Sequence, residues 1–372
     1  AGHPWIYRSD LVTAPHTDAG VVRVVDQRGK PIGVALWSPR SEISLRQLDP
    51  DPDASIDGEW WHRALARAIA RRRTLADDTT ACRLVHGEGD LIPSLVVDRY
   101  DRWLVVQLMS AGLERFRNDI IRALIDLVHP DGILARNDVP LGRKEGLETN
   151  VELLHGSVPD EVEVNEHGVR YLAAPWRGQK TGAFLDQREN RVLAGRVARG
   201  RALDCFSYHG SFALHLARRA DHVIALDSSA HALTRAEENF QRNGVANGEF
   251  VEANAFEYLK ARERERARFE TIVLDPPAFA KTRGTLPAAL RGYKEINLRA
   301  MRILSPGGML FTASCSYHLT KPLFLEMLEQ AASDSGRRLA FREFRGQPLD
   351  HPEVVTIPET AYLKGALLEA LD

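Results

Sequence analysis

From about Arg201 onward, short apolar runs recur with helix-length segments between them: Ala202-Leu203-Asp204, Val223-Ile224-Ala225-Leu226-Asp227, Thr271-Ile272-Val273-Leu274-Asp275 and Met309-Leu310-Phe311-Thr312-Ala313. Continuous apolar runs alternating with helices are what parallel strands covered on both faces require. The C-terminal half is therefore expected to be an α/β Rossmann-like sheet. Open α/β sheets bind ligands outside the carboxyl ends of their strands. The aspartates that close three of these runs mark the edge where chemistry is expected.

A chain of 372 residues is too long for one core, so further domains must precede that sheet. Up to about Asp49, short runs such as Val21-Val22-Arg23-Val24-Val25 and Gly33-Val34-Ala35-Leu36-Trp37 read as a small β-barrel or sheet. Asp49-Pro50-Asp51-Pro52-Asp53 continues neither strand nor helix and reads as a linker. A helix is expected over Trp60 to Leu75. Cys82 to about Val162 reads as an α+β unit, with strands at Leu95 to Asp98, Leu104 to Leu108 and Gly132 to Ala135 and a helix near Leu113 to Val128. The expected domains are 1–55, 56–170 and 171–372.

Composition narrows the setting. Three cysteines, Cys82, Cys205 and Cys315, close no disulfide framework, and no basic and apolar leader opens the chain, so a reducing cytoplasm is expected. No run approaches the roughly 18 apolar residues of a membrane span. A net charge of -2 does not announce a nucleic-acid binder. Local basic clusters remain, at Arg63, Arg67, Arg71, Arg72 and Arg73, and at Arg136, Arg143 and Lys144; each reads either as an RNA contact or as a solvated helix face or turn. No residues are assigned to a metal.

The loop after the first strand, Asp204-Cys205-Phe206-Ser207-Tyr208-His209-Gly210-Ser211, is not the G-x-G-x-x-G that brings a backbone against a dinucleotide pyrophosphate. A carboxylate and hydroxyls suit S-adenosylmethionine better, whose ammonium and sulfonium want a negative partner. Asp227 ends the second strand 23 positions after Asp204, about where an acidic residue takes ribose hydroxyls; its plainer role is an N-cap, with a helix beginning near Ser228 or Ser229. Asn254-Ala255 offers groups for an adenine edge, or a helix cap. Asp275-Pro276-Pro277-Ala278-Phe279 makes a rigid turn that holds its carboxylate fixed, or simply stops the strand.

Cys315, within Ser314-Cys315-Ser316-Tyr317-His318, falls at the same edge. A cysteine in a strand is usually a small buried apolar residue. With a methyl donor beside it, another chemistry opens. Thiolate addition at carbon 6 of cytosine makes carbon 5 nucleophilic, and loss of the carbon 5 proton after methyl transfer expels the thiol. That needs a partly exposed thiolate. Cys205 and Cys82 read as packing residues. Ahead of the sheet, Gln179 to Arg191 is dense in hydrogen-bonding groups and reads as a helix start or as a loop near the cofactor.

Taken in order, these blocks resemble the RlmI-type 23S ribosomal RNA cytosine-5 methyltransferases, which carry an N-terminal PUA domain. The resemblance runs through His3-Pro4-Trp5-Ile6-Tyr7, Gly178 to Gly182 with Asp186-Gln187-Arg188, Cys205 to Tyr208, Asp275-Pro276-Pro277, Arg291 to Lys294 with Ile296-Asn297, Ser314-Cys315-Ser316, His351-Pro352 and Tyr362-Leu363-Lys364-Gly365. It covers nearly the whole chain. Two positions depart from the family: Asn254 stands where an acidic residue is common, and His209 where threonine is. The chain also opens at Ala1-Gly2-His3 without the short segment that precedes the motif in the family, so the PUA domain is expected to lack its first strand.

The resemblance implies a seven-stranded sheet, S-adenosylmethionine as cofactor and 23S rRNA or a large-subunit precursor as partner, with a homodimer compatible with the sequence. By resemblance the cofactor contacts are Phe184, Gln187, Arg188, Asp204, Phe206, Ser207, Tyr208, Gly210, Ser211, Asp227, Ser228, Asn254, Ala255, Asp275 and Pro276. The substrate contacts are Lys180, Pro277, Phe279, Tyr293 and Lys294, and Cys315 and Asp275 are catalytic. Two other readings stand. D-P-P-x-F is similar to the turn of amino-methyltransferases, which would make the product an N-methylated base and Cys315 structural. A non-catalytic RNA-binding assembly factor would bind no cofactor.

Overall fold

The computed structural model describes residues 2–75, 77–138, 145–280 and 282–372. Arg143 and Lys144 lie outside the described residues. Two compact units are formed: Ala1–Glu166 with Ala173–Leu185 and Leu349–Thr360, and His167–Leu172 with Asp186–Pro348 and Ala361–Asp372.

The first unit begins with an antiparallel sheet of Trp5–Ile6, Gly20–Val25, Pro31–Trp37 and Leu45–Asp49, in which the first strand pairs with the last. Gly33 sits beside a register shift with φ +139°, and a Cβ there would meet Asp49 O at 2.3 Å, so only glycine fits. Leu36 and Leu48 join the apolar cluster of Trp61, Leu65, Val97 and Leu124. The small sheet and the α+β segment thus share a core across the Asp49–Asp53 linker. The α+β part is a five-stranded sheet whose third and fourth strands, Trp103–Leu108 and Gly132–Arg136, run parallel. Parallel neighbours need a crossover, and the helices Ala111–Glu114 and Arg117–Val128 supply it.

The helix expected over Trp60 to Leu75 runs Gly58–Ala70, started by Asp57, whose carboxylate accepts from Trp60 N at 2.9 Å. Its last turn opens because Arg72 turns inward. That guanidinium, 4% exposed, donates to both oxygens of Asp90 at 2.6 Å and to the carbonyls of Ala68, Arg83 and Asp350. The basic cluster therefore divides. Arg63 pairs with Glu59 on an exposed face, while Arg72 is a structural core residue.

The second unit is a seven-stranded sheet: β1 (Arg201–Cys205), β2 (His222–Asp227), β3 (Gly248–Glu252), β4 (Phe269–Leu274), β5 (Leu304–Ser314), β6 (Leu339–Arg345) and β7 (Lys364–Ala370). The strand order is β3-β2-β1-β4-β5-β7-β6, all parallel except β7. Helices α1 (Arg188–Val197), α2 (Ser211–Ala217), α3 (Ala230–Arg242), α4 (Ala255–Arg264), α5 (Leu286–Ile303) and α6 (Lys321–Ser335) complete it. Leu203, Ile224, Leu274, Ile296, Leu310, Phe324 and Leu368 belong to one buried cluster. From β1 the chain proceeds to β2 and β3 on one side and to β4 and β5 on the other. The carboxyl ends of β1 and β4 therefore flank the switch point where such sheets open a crevice. Among the described residues no helix is long and apolar enough to cross a membrane.

Candidate active site

After β1 the chain turns through Phe206–Gly210 before α2 starts at Ser211. Phe206 (φ 66°) and Tyr208 (φ 51°) take left-handed backbone although neither is glycine. Such residues cost about 1–3 kcal/mol each and persist where their surroundings fix them. Here Ser207 N donates to Leu226 O (3.0 Å) and Tyr208 N to Asp227 Oδ2 (2.9 Å). At Gly210 a Cβ would stand 2.9 Å from Ala236 Cβ, so the missing side chain lets α2 approach α3.

Asp204 lies inside this turn, fully buried. Its Oδ2 accepts from Ser207 Oγ at 2.7 Å and Ala213 N at 3.0 Å, while Oδ1 has no partner among the described residues. Burial pushes its carboxyl up to about 7. The charges of Asp275 and Asp227 push the same way, against the two hydrogen bonds. Three carboxylates at neighbouring strand ends, one with an unsatisfied buried oxygen, leave this crevice short of positive charge. An ammonium and a sulfonium relieve that shortage; a pyrophosphate would deepen it.

Ser229, not Asp227, caps α3, its Oγ accepting from Ala232 N. Asp227 is left to tie the β1 loop through Tyr208 N and to accept from Ser229 N at 3.0 Å, and Ser228 is exposed beside it. Asn254 does cap α4, its Oδ1 accepting from Phe256 N at 2.9 Å, so its amide N–H groups remain for a ligand. Ala255 is the first residue of that helix.

Asp275 follows β4 directly. Its Oδ1 accepts from Gln187 Nε2 at 2.7 Å, and Gln187 Oε1 accepts from Asn190 Nδ2 at 2.6 Å. Gln187, expected against the cofactor, thus has its amide engaged in fixing Asp275. Arg188 beside it is 1% exposed. Pro276 is buried and Pro277 exposed. Phe279 packs among Phe206, Phe256 and Tyr293, with ring centroids 6.4, 5.9 and 4.6 Å away.

Two of the expected substrate contacts already have partners within the protein. Tyr293 is fully buried; its hydroxyl meets Ser316 Oγ at 2.9 Å and accepts from Phe279 N at 3.3 Å, which makes it a brace between two strand-end turns. Lys294 is engaged by Asp334 at 2.7 Å. Lys180 and Phe184 belong to the first unit, where the Lys180 ammonium lies 4.6 Å from the Phe184 ring centre.

The cysteines separate by environment. Cys82 and Cys205 are completely buried, and burial with the Asp204 charge pushes the Cys205 thiol well above the usual range. Cys315 is half-buried, just past the end of β5. Beside it stands Lys364 on β7, opposite Ser314, donating to Ser316 O and Tyr362 O, both at 2.7 Å. Sequence reasoning gave no role to Lys364, Ser316 or Asn190. The block Tyr362 to Gly365 was visible, but only the insertion of β7 between β5 and β6 brings it to the cysteine.

A family model described as S-adenosylmethionine-dependent methyltransferase matches residues 82–368. The chain belongs to the S-adenosylmethionine-dependent methyltransferase family. A PUA-like domain model matches residues 1–50 of the methyltransferase. The enzyme is 40% identical over 379 residues to "Ribosomal RNA large subunit methyltransferase I" of Tolumonas auensis, covering 99% of this chain and 96% of the relative. The protein of the same name from Shewanella frigidimarina is 39% identical over 374 residues, 98% and 94%. Among solved structures, a SAM-dependent methyltransferase from Streptococcus mutans superimposes with TM-score 0.83 at 21% identity, over 98% of this chain and 95% of that one. A methyltransferase complexed with SAH gives 0.86 at 21%, over 99% and 96%. The methyltransferase's cofactor is S-adenosylmethionine, and the electron-rich crevice at Asp204, Asp227 and Asp275 is the part of the fold suited to hold it.

Proposed function

We propose that this methyltransferase acts on large-subunit ribosomal RNA and forms 5-methylcytosine, with Cys315 as the nucleophile. The RNA class follows the printed names of the relatives near 40% identity, and the PUA-like segment is suited to a nucleic-acid partner. Such a substrate suits a cytoplasmic enzyme. The observation that carries the cytosine chemistry is the contrast between two thiols at one sheet edge. Cys205 is sealed and held protonated, while Cys315 is partly open at the end of β5.

In this reading Cys315 Sγ adds to carbon 6 of a cytosine taken out of its stack. The carbon 5–carbon 6 double bond becomes a carbon 5 nucleophile. S-adenosylmethionine supplies the electrophilic methyl group. A base then removes the carbon 5 proton, the double bond re-forms and Sγ leaves as thiolate, so atoms and charge balance. Asp275, held by Gln187 and its proline turn, is positioned to bind the base edge.

An rRNA fragment carrying 5-fluorocytidine tests this. Fluorine at carbon 5 blocks proton loss, so wild-type protein with S-adenosylmethionine should form a complex that survives denaturation, and Cys315→Ala should form none. Methylation of a purine or an exocyclic amine without any adduct would overturn the reading.

A further inference from the structure

Lysine is almost never fully buried without an anionic partner. Lys364 is 5% exposed, yet among the described residues its ammonium bonds to backbone carbonyls and not to a carboxylate. Its ammonium has three donors. Two go to the carbonyls of Ser316 and Tyr362, and the third has no acceptor among the described residues. Carbonyl dipoles solvate a cation without neutralising it. Both the Ser316 carbonyl and the register partner Ser314 flank Cys315 in sequence, so the charge is held against the turn that carries this sulfur.

We propose that Lys364 is a positioning residue that holds Cys315 as a thiolate by serving as its buried counter-ion. The inference rests on Cys315 being the nucleophile. The Sγ–H proton is released to solvent, and the thiolate left behind pairs with the Lys364 ammonium. When Sγ bonds to carbon 6, its negative charge passes into the ring. Burial draws the Lys364 amine down to about 8, and a charge on Cys315 draws it back up; by reciprocity the ammonium favours that charge. The Tyr293 hydroxyl is held up by burial and stays neutral, and Arg345 on β6, opposite Gly365, pairs with Glu343 and Glu189.

The test is the rate of iodoacetamide labelling at Cys315 in the full-length protein without RNA, followed by mass spectrometry from pH 5.5 to 9.5. Wild type should show a midpoint below the roughly 8.5 of a free thiol. Lys364→Met should move it up by about one unit, slowing labelling at pH 7 about tenfold, and Lys364→Arg should restore most of the rate. In turnover, Lys364→Met should lower kcat with little change in KM for RNA. A wild-type midpoint at or above that of a free thiol overturns the proposal whether or not the Met variant folds, as does a Met profile that superimposes on wild type. Labelling does not depend on chemistry at cytosine. A Cys315→Ala enzyme that stays active would therefore sink the nucleophile reading alone.

Discussion

Gln187 Nε2 donates to Asp275 Oδ1 at 2.7 Å, and Asn190 holds Gln187 in turn. A carboxylate at a strand end is thereby aimed by an amide that precedes the first helix of the domain. Gln187→Ala should leave the fold intact and lower kcat roughly ten- to a hundredfold, the cost of an unheld catalytic group. Gln187→Glu sets two carboxylates face to face, which favours protonation of one of them. Its activity should fall further and recover partly toward acid pH. Steady-state kinetics across pH 6 to 9 check both, and an alanine variant with wild-type kcat would remove Gln187 from the machinery.

Cys205 and Cys315 should respond oppositely to removal. Cys205→Ala deletes a buried sulfur from the core and should cost about 1–2 kcal/mol of stability while leaving methyl transfer near wild type at permissive temperature. Cys315→Ala, at a half-buried site, should change thermal stability little and abolish transfer. Melting curves alongside a radiolabelled methyl assay separate the two. Loss of activity in Cys205→Ala without unfolding would reverse the assignment.

How much of this was legible in the sequence differs from element to element. The parallel strands announced themselves because burial on both faces leaves unbroken runs such as Val223–Leu226, and their terminal aspartates marked the crevice. The antiparallel β7 was not separable from a loop by pattern, since what makes it a strand is its neighbours β5 and β6. Lys364 was hidden with it. Tyr293 entered as a substrate contact through the resemblance alone. That it lies on the inward face of α5 with its hydroxyl against Ser316 depends on packing between distant segments, which the local pattern does not carry. Asn254 and Asp227 each read as a cap or a ligand contact, and the structure settles only the cap: Asn254 caps α4, while Ser229 rather than Asp227 caps α3.

Arg72 shows the same limit for charge. Five arginines within eleven positions suggested one basic face, but the Arg72 guanidinium is bonded on both nitrogens to Asp90 in the core of the first unit. Replacing it by methionine leaves the buried Asp90 with the half-exposed Arg71 and the His86 N–H, without its buried counter-ion, and should destabilise by about 3–5 kcal/mol. Arg63→Ala should stay within about 0.5 kcal/mol. All 6 tryptophans lie in the first unit, so urea unfolding followed by tryptophan fluorescence reports on it directly. Equal midpoints for the two variants would contradict the buried pairing.

Asp204, proposed to face the cofactor's positive charge, also bears on stability. Its carboxyl is pushed up to about 7 by burial, from an ordinary value near 4. Below about pH 4 the acid is protonated in both folded and unfolded chains and imposes no penalty. Between about 4 and 7 the unfolded chain ionises while the folded one resists, so the penalty grows, and above about 7 it levels off near an upper bound of about 4 kcal/mol. Asp204→Asn carries no such acid. Its stability relative to wild type should therefore rise from pH 4 to 7 and then stay constant. The same substitution removes the charge that an ammonium or sulfonium needs. S-adenosylmethionine at a hundred times its Kd should raise wild-type stability by about 2.7 kcal/mol and the variant's far less. Parallel stability curves for the two proteins across that range, or equal stabilisation by the cofactor, would show that the buried carboxylate is not the group that the cofactor's positive charge satisfies.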